Sequence, residues 1–485
     1  MLGILTYLPF IALGLSYIYF TSFCMLGVSM YSLSQIVSSN GRRRWILMDV
    51  TLCLPALYPL RYVVDHLEYR SPSTQSASLQ AIKFFYDFWF MKHRTTFCYS
   101  FYFSGHDPAI AIHEMADFFQ YLENGRIVNS TPRSLPFKHS SSVTNAARVR
   151  AVIRFIGYLI ATYISPYYRN ETPKELSRHA SRLNTRLLIC KEEFKTLERS
   201  NHRYYRVIPG FRSMTGDMVE NVYRIVVPNS KHKNNFLNPF PSGFIQFRNY
   251  LILRLMLNYG LRVAELLLLE CTSVKASIKG DKFSLIISMP SNITDPRIHA
   301  PSLKNDYSHR VLELDKLDYE FLMIYMGKIR KSSLTHNFIF ASSQNPDKPL
   351  SYNAVHLIFS EIDKVFSHYY PECKSIEHFD TIIKFTPHVT RHTWAYLTLK
   401  KIYHLQNKKI NNSDIAFVKN SFSMGVMDEA KEALRLLGGW SIKSKMPDLY
   451  AKRFMSEQAN AVNIKRLLQQ DSELDCLMKG LFDGY

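Results

Sequence analysis

The stretch “NYGLRVAELLLL”, Asn258–Leu269, is where two structural patterns meet. It closes a strongly apolar helix expected over Phe244–Leu261, which “NPFPSGFIQFRNY” introduces. Gly260 interrupts that run just before Arg262. If the helix continues, Glu265 follows Arg262 by one turn on the same side and is its orienting partner. After Cys271 the pattern turns to strands: Val274–Ile278, Phe283–Met289 and Arg310–Leu314, separated by polar loops. Helix then returns at Tyr319–Lys328, Tyr352–Phe366, Thr390–Tyr403 and Asp428–Leu437. The expected fold is mainly α with a small antiparallel β-sheet.

Upstream, Gly216–Val227 reads as a helix ending before Pro228. Ser71–His93 carries Ser and Thr ahead of an apolar stripe of Leu79, Ile82, Tyr86 and Trp89, a capped helix with one buried face. Ala109–Leu122, Asn145–Ile164 and Pro173–Glu198 are further helices, and Arg126–His139, with Pro132 and Pro136, is a connector. Trp45–Tyr69, broken by Pro55 and Pro59, reads as a short strand or turn entering a helix. Residues 45–212 thus read as an all-helical basic domain, and 215–455 as a second, α+β domain.

The 485 residues allow about two to four domains. The formal net charge of +20 favours a polyanionic partner, and a 47% hydrophobic content argues for packed domains over a basic tail. The seven cysteines are widely spaced without a C-x-x-C pair, which fits a reducing compartment and supports neither a zinc cluster nor a disulfide framework. Residues 1–40 contain no charged side chain, and Arg42, Arg43 and Arg44 follow. This 1–44 segment has the length and polarity to span a membrane with its arginines inside. It also reads as a helix packed on the next domain, or as a start assigned too far upstream.

Three more strings carry chemistry: “HVTRHTWAYL” (His388–Leu397), “LLGGWS” (Leu436–Ser441) and “MPDLYAKRF” (Met446–Phe454). A phosphodiester under attack gains negative charge on its non-bridging oxygens. Arg262 and Arg391 are permanently charged and donate paired hydrogen bonds, so together they suit a clamp on those oxygens. Tyr450 offers a phenol that can attack phosphorus. Lys304, in “LKNDYSHRVLEL” (Leu303–Leu314), is protonated at neutral pH and can protonate a leaving oxygen, with Lys279 and Lys282 as competitors. His388 can help deprotonate Tyr450 or donate to phosphate, whereas Trp440 can only donate. His392 is read as a buttress of its helix. Pro447 suggests a short loop or helix break carrying Tyr450.

In these strings the chain resembles the tyrosine recombinase, or phage integrase, family. Arg262, Lys304, His388, Arg391, Trp440 and Tyr450 fall on that family's catalytic positions, and Glu265 on its acidic position. Tryptophan stands at 440 where histidine is usual. The resemblance implies a helical core-binding domain over 45–212 and a catalytic domain over 215–455. It implies a site-specific recombinase of a mobile element or integrated DNA, acting through a 3′-phosphotyrosyl intermediate without metal, ATP or cofactor. Its partners would be double-stranded DNA bearing recombination sites, a homotetramer on synapsed DNA, and an accessory recombinase or DNA-bending protein. Candidate phosphate contacts are Arg148, Arg150, Arg154, Arg178, Arg182, Arg186, Arg199, Arg203 and Arg206. Residues 456–485 read as an amphipathic helix, packed on a neighbouring protomer or in cis. The expected location is cytoplasmic and nucleoid-associated. A hairpin telomere resolvase, a type IB topoisomerase-like enzyme, and a DNA-binding regulator without chemistry remain as alternatives.

Overall fold

The structure, a computed structural model, describes residues 30–37, 43–124, 142–168, 170–205, 213–229, 234–241, 243–290, 295–297, 299–330, 333, 336–375, 377–378, 381–411 and 423–482. The chain divides into two compact units, Met1–Val207 and Ile208–Tyr485.

Among the described residues, the first unit opens with strands. β1 (Tyr31–Val37) and β2 (Arg43–Asp49) pair antiparallel, Tyr31 opposite Asp49 and Val37 opposite Arg43. β3 (Leu54–Pro55) adds to β2, with Met48 opposite Pro55. Asp49 Oδ1 accepts from the backbone N–H of Thr51 at 2.9 Å and Leu52 at 3.1 Å, an Asx-type turn that leads the chain out of β2. Two expectations are corrected here. Residues 31–37 are not part of a membrane-spanning or packed helix, and 45–212 is not all-helical. The alternation Tyr31-Ser32-Leu33-Ser34 is short and is submerged in the long apolar run before it. Most of that run, residues 1–29, lies outside the described residues, as does the connector expected at 126–139. No described helix is long and apolar enough to cross a membrane.

Among the described residues, helices α1 (Leu57–Tyr62), α2 (Pro72–His93), α3 (Phe97–Phe103), α4 (Ala109–His113), α5 (Met115–Asn124), α6 (Ser142–Tyr167) and α7 (Pro173–Tyr205) follow in this unit. Ser71 caps α2 by accepting from Thr74 N at 3.3 Å, with Pro72 in the first turn where no N–H is needed. The single helix expected over 109–122 is two, because the chain turns at Glu114, whose carboxylate is drawn to Lys92 of α2. The core is aromatic: Phe85 lies 5.3 Å from Phe97 and 5.4 Å from Phe118, both edge-on.

The second unit begins with α8 (Gly216–Val226), capped by Thr215, and α9 (Gly243–Asn258). After the short α10 (Val263–Leu268) come β4 (Val274–Ala276), β5 (Phe283–Ile287) and β6 (Arg310–Leu314) in that order, all antiparallel. Phe283, Leu285 and Ile287 point alternately into the core, as the pleat requires. Register sets Arg310 opposite Ile287. Then follow α11 (Lys316–Ile324), α12 (Tyr352–Tyr369), α13 (Pro387–Asn411), α14 (Ser423–Gly438) and α15 (Met446–Phe482). Leu251, Ile252 and Met256 of α9 join Val355, Phe359 and Ile362 of α12 in one core. Trp394, Leu399, Leu434, Ala451 and Phe454 form another, which gathers α13, α14 and α15. Each such leucine or phenylalanine stabilises by roughly 1.5–3 kcal/mol on burial.

Tyr450 does not sit in a loop or helix break. α15 runs unbroken past it, and Pro447 lies in its first turn, where a proline starts a helix without cost. The segment 456–485 is therefore the continuation of the helix that bears Tyr450, out to Phe482.

Candidate active site

The site is assembled where α9 stops. Gly260 adopts φ +62°, and a Cβ there would stand 2.1 Å from Cε3 of Trp394. The backbone therefore leaves α9 and restarts as α10, with Arg262 at its N-cap. The helix does not continue through Arg262. Arg262 and Glu265 instead meet across a new first turn, in which the Arg262 N–H donates to Glu265 Oε2 at 2.9 Å.

Glu265 is 1% exposed and carries three guanidiniums. Arg262 Nη1 donates to its Oε1, Arg310 Nη2 to its Oε2 at 2.9 Å, and Arg391 Nη1 stands 3.8 Å from Oε2. Burial pushes the Glu265 carboxyl up, but the charges of Arg310, Arg391 and Arg262 outweigh it and hold the group below the usual carboxylate range. The cluster so formed is a net +2.

The same three arginines grip the turn after α14. Arg310 Nε donates to Leu437 O at 2.8 Å, Arg391 Nη2 donates to Gly438 O, and Arg262 Nη2 donates to Gly439 O at 3.3 Å. Three successive carbonyls thus take one arginine each. Gly439 has φ +57°, and a Cβ there would lie 2.9 Å from Arg310 Nη1. At Gly438 a Cβ would meet the Trp440 ring at 2.3 Å. The glycine pair lets the turn approach the arginines and swing Trp440 under Arg391, whose guanidinium lies 4.7 Å over the indole.

A guanidinium has five N–H donors. Arg310 spends all three nitrogens on Leu437 O, Ser308 O and Glu265 and so organises the cluster. Arg391 also donates from Nη1 to Gly260 O, and of the three arginines Arg262, with 18% of its side chain exposed against 7% for Arg310 and 5% for Arg391, is the most open to an incoming anion. Burial, then the charge of Arg262, push Arg391 down to about 9, which leaves it cationic at neutral pH.

Tyr450 is 5% exposed, its ring 6.1 Å from that of Trp440. Its hydroxyl lies 2.7 Å from Nδ1 of His392. His392 is therefore in contact with the candidate nucleophile, beyond the buttressing role expected of it. His388, exposed in the first turn of α13, packs edge-on against the His392 ring at 4.2 Å. Arg435 fixes the approach to α15: its Nη1 donates to Ser441 O at 3.0 Å, Ile442 O at 2.9 Å and Ser444 O at 2.9 Å. Sequence reasoning missed both Arg310 and Arg435. Arg310 lies in the same string as Lys304, and nothing local marks Arg435.

Lys304 stands exposed in the loop before β6 and makes no hydrogen bond or ion pair among the described residues. Lys279 and Lys282 are likewise exposed, at the turn between β4 and β5. Among the candidate phosphate contacts, Arg178, Arg182 and Arg186 form an exposed stripe at four-residue spacing on α7, and Arg154 is exposed on α6. Arg148 is half-buried, 4.1 Å over the Phe84 ring and bonded to Asn145 at 3.1 Å, an internal engagement that ties it to the fold. Arg150 is half-buried. The side chains of Arg199, Arg203 and Arg206 lie outside the described residues. No group of metal-ligating side chains occurs among the described residues.

Residues 231–407 match the model of the phage integrase family. That span holds Arg262, Lys304, His388 and Arg391 and ends before Trp440 and Tyr450. Among solved structures, the chain is similar to the Tn1549 transposon integrase in complex with circular intermediate DNA, at 11% identity and a TM-score of 0.43, over 83% of this chain and 98% of that one. It is similar to XerA recombinase at 13% identity and a TM-score of 0.30, over 83% and 97%. It is similar to XerH site-specific recombinase bound to difH substrate at 12% identity and a TM-score of 0.31, over 71% and 96%. No curated protein matches the chain.

Proposed function

We propose that this chain, whose residues 231–407 match the phage integrase family model, is a tyrosine recombinase that cleaves and rejoins DNA strands at specific sites with Tyr450 as nucleophile. The observation that carries this reading is the net +2 cluster of Arg262, Arg310, Arg391 and Glu265 beside a buried tyrosine. A phosphodiester carries one negative charge, and the five-coordinate state reached on attack carries two. A fixed excess of two positive charges matches the second better than the first, which is what lowers a barrier.

In the proposed reaction the Tyr450 oxygen bonds to phosphorus and the bond to the 5′ oxygen breaks. A 3′-phosphotyrosyl linkage and a 5′ hydroxyl result. Arg262 and Arg391 hold the non-bridging oxygens, and the Trp440 N–H and exposed His388 are further donors. Lys304 protonates the departing 5′ oxygen. A 5′ hydroxyl from a second strand then reverses the steps. Phosphodiester energy is retained throughout, so the cycle consumes no nucleotide. The exposed arginine stripe of α7 supplies sequence-independent phosphate affinity to the grip on duplex DNA. Paired sites in a homotetramer would let strands exchange in two rounds.

The test begins with duplexes selected from a random-sequence library by binding. Incubated with the chain, paired copies of a selected site should recombine, and a nicked copy should trap a covalent complex. Hairpin ends would point instead to a telomere resolvase, and relaxation of supercoils without a site to a topoisomerase. Binding without any covalent complex would leave a regulator.

A further inference from the structure

The contact between Tyr450 and His392 has chemical content beyond packing. An imidazole nitrogen at 2.7 Å from a phenol oxygen is within direct proton-transfer distance. Both groups are buried, His392 at 4% and Tyr450 at 5% exposure, so bulk water is not positioned to take the proton at that oxygen. His392 lies next to Arg391 in α13, one turn beyond His388, which packs on its ring from the exposed start of the helix. Arg391 lies close enough for its charge to act on the Tyr450 oxygen, favouring the phenolate once the proton has moved.

We propose that His392, and not only the histidine at 388, is the catalytic proton acceptor for Tyr450. This rests on the strand-transfer reading above. In cleavage the Tyr450 O–H bond breaks and the proton passes to Nδ1 of His392. The phenol oxygen bonds to phosphorus, and the 5′ oxygen leaves with the Lys304 proton. In rejoining, the incoming 5′ hydroxyl returns its proton to Lys304, and the departing Tyr450 oxygen recovers its own from His392. Each group ends the cycle as it began. The tautomer this needs has its proton on Nε2 of His392, leaving Nδ1 to accept.

The test uses the full chain and a nicked duplex selected by binding, with single-turnover formation of the Tyr450 adduct as readout. His392→Asn keeps a hydrogen-bonding amide near the place of Nδ1 but cannot take a proton. It should bind the duplex as wild type does and form adduct about 100-fold more slowly. Replacing Tyr450 by 3,5-difluorotyrosine, a more acidic phenol, should recover about tenfold or more of that loss in the variant and little in wild type. A buttress alone would show no such recovery. His388→Asn, run in parallel, should respond less to the fluorinated phenol. Equal slowing of the variant on both phenols overturns the assignment, as does adduct formation by His392→Asn within about threefold of wild type. If His392→Asn unfolds, exogenous imidazole with His392→Gly gives the second reading: recovery of the rate supports the role, and its absence in a folded variant overturns it. A wild type that never forms the adduct overturns the strand-transfer reading as well, so the two failures are distinct.

Discussion

Arg310 Nη2 donates to Glu265 Oε2 at 2.9 Å, joining the last strand of the small sheet to the first turn of α10. Through this contact one buried carboxylate holds together arginines that are far apart in the chain. Glu265→Gln would leave three guanidiniums repelling one another in a buried site. It should lower stability by about 3–5 kcal/mol and abolish cleavage. Denaturant unfolding of the full chain, followed by a probe in the second unit, checks this. The pH dependence has a definite sign. The folded Glu265 carboxyl titrates below the ordinary carboxylate range, so in that window the unfolded chain binds more protons and stability rises with pH. The contribution is fully present above about pH 4.5 and is lost as the solution is acidified through the folded value. Glu265→Gln should remove that part of the acid sensitivity.

Gly260→Ala and Gly439→Ala should each destabilise the second unit by at least about 1–3 kcal/mol, since both residues hold positive φ. Gly260→Ala should be the worse, because its Cβ would lie 2.1 Å from the Trp394 ring, whereas at Gly439 the contacts, Arg310 Nη1 at 2.9 Å and the Tyr307 carbonyl at 3.0 Å, are less severe. Thermal unfolding of the two variants ranks them. A Gly260→Ala protein as stable as wild type would contradict the packing described.

Much of this arrangement is readable in local strings. The apolar run to Asn258, the alternation of Phe283, Leu285 and Ile287, and the strings around Arg262, Arg391 and Tyr450 each carry their own pattern. What stayed hidden is contact between distant segments. Nothing in the sequence near Arg310 says that it will reach Leu437 and Glu265, and nothing near His392 says that Tyr450 lies against it. The β1–β2 ribbon was hidden for another reason: its short alternation adjoins a longer apolar run. Pro447 suggests a break on its own, and only its place in the first turn of α15 makes it a start.

Trp440 offers its ring to Arg391 and its N–H to a ligand, and two substitutions separate these. Trp440→Phe keeps an aromatic face and loses the N–H, so it should cost little stability, bind DNA normally and cleave more slowly. Trp440→Ala removes the face and should cost roughly 3–5 kcal/mol as well. Equal cleavage rates for wild type and Trp440→Phe would show that the N–H is not used.

Lys304→Ala should slow cleavage by about 100-fold or more while most DNA affinity survives. A substrate with sulfur at the bridging 5′ position should recover most of that loss, because sulfur leaves without a proton. The same deficit on oxygen- and sulfur-bridged DNA would remove Lys304 from the role. Recovery in Lys279→Ala or Lys282→Ala instead would move the role to the turn between β4 and β5.

The central claim is that Tyr450 attacks phosphorus, and the most direct measurement is the site of the covalent bond. Wild-type chain incubated with the nicked duplex in chelator, then digested, should yield one DNA-linked peptide, containing Tyr450 joined to a 3′ phosphate. Tyr450→Phe should bind the same duplex and yield none. A DNA-linked peptide that persists in Tyr450→Phe, a linkage to a 5′ phosphate, or cleavage only with a divalent metal would contradict the account.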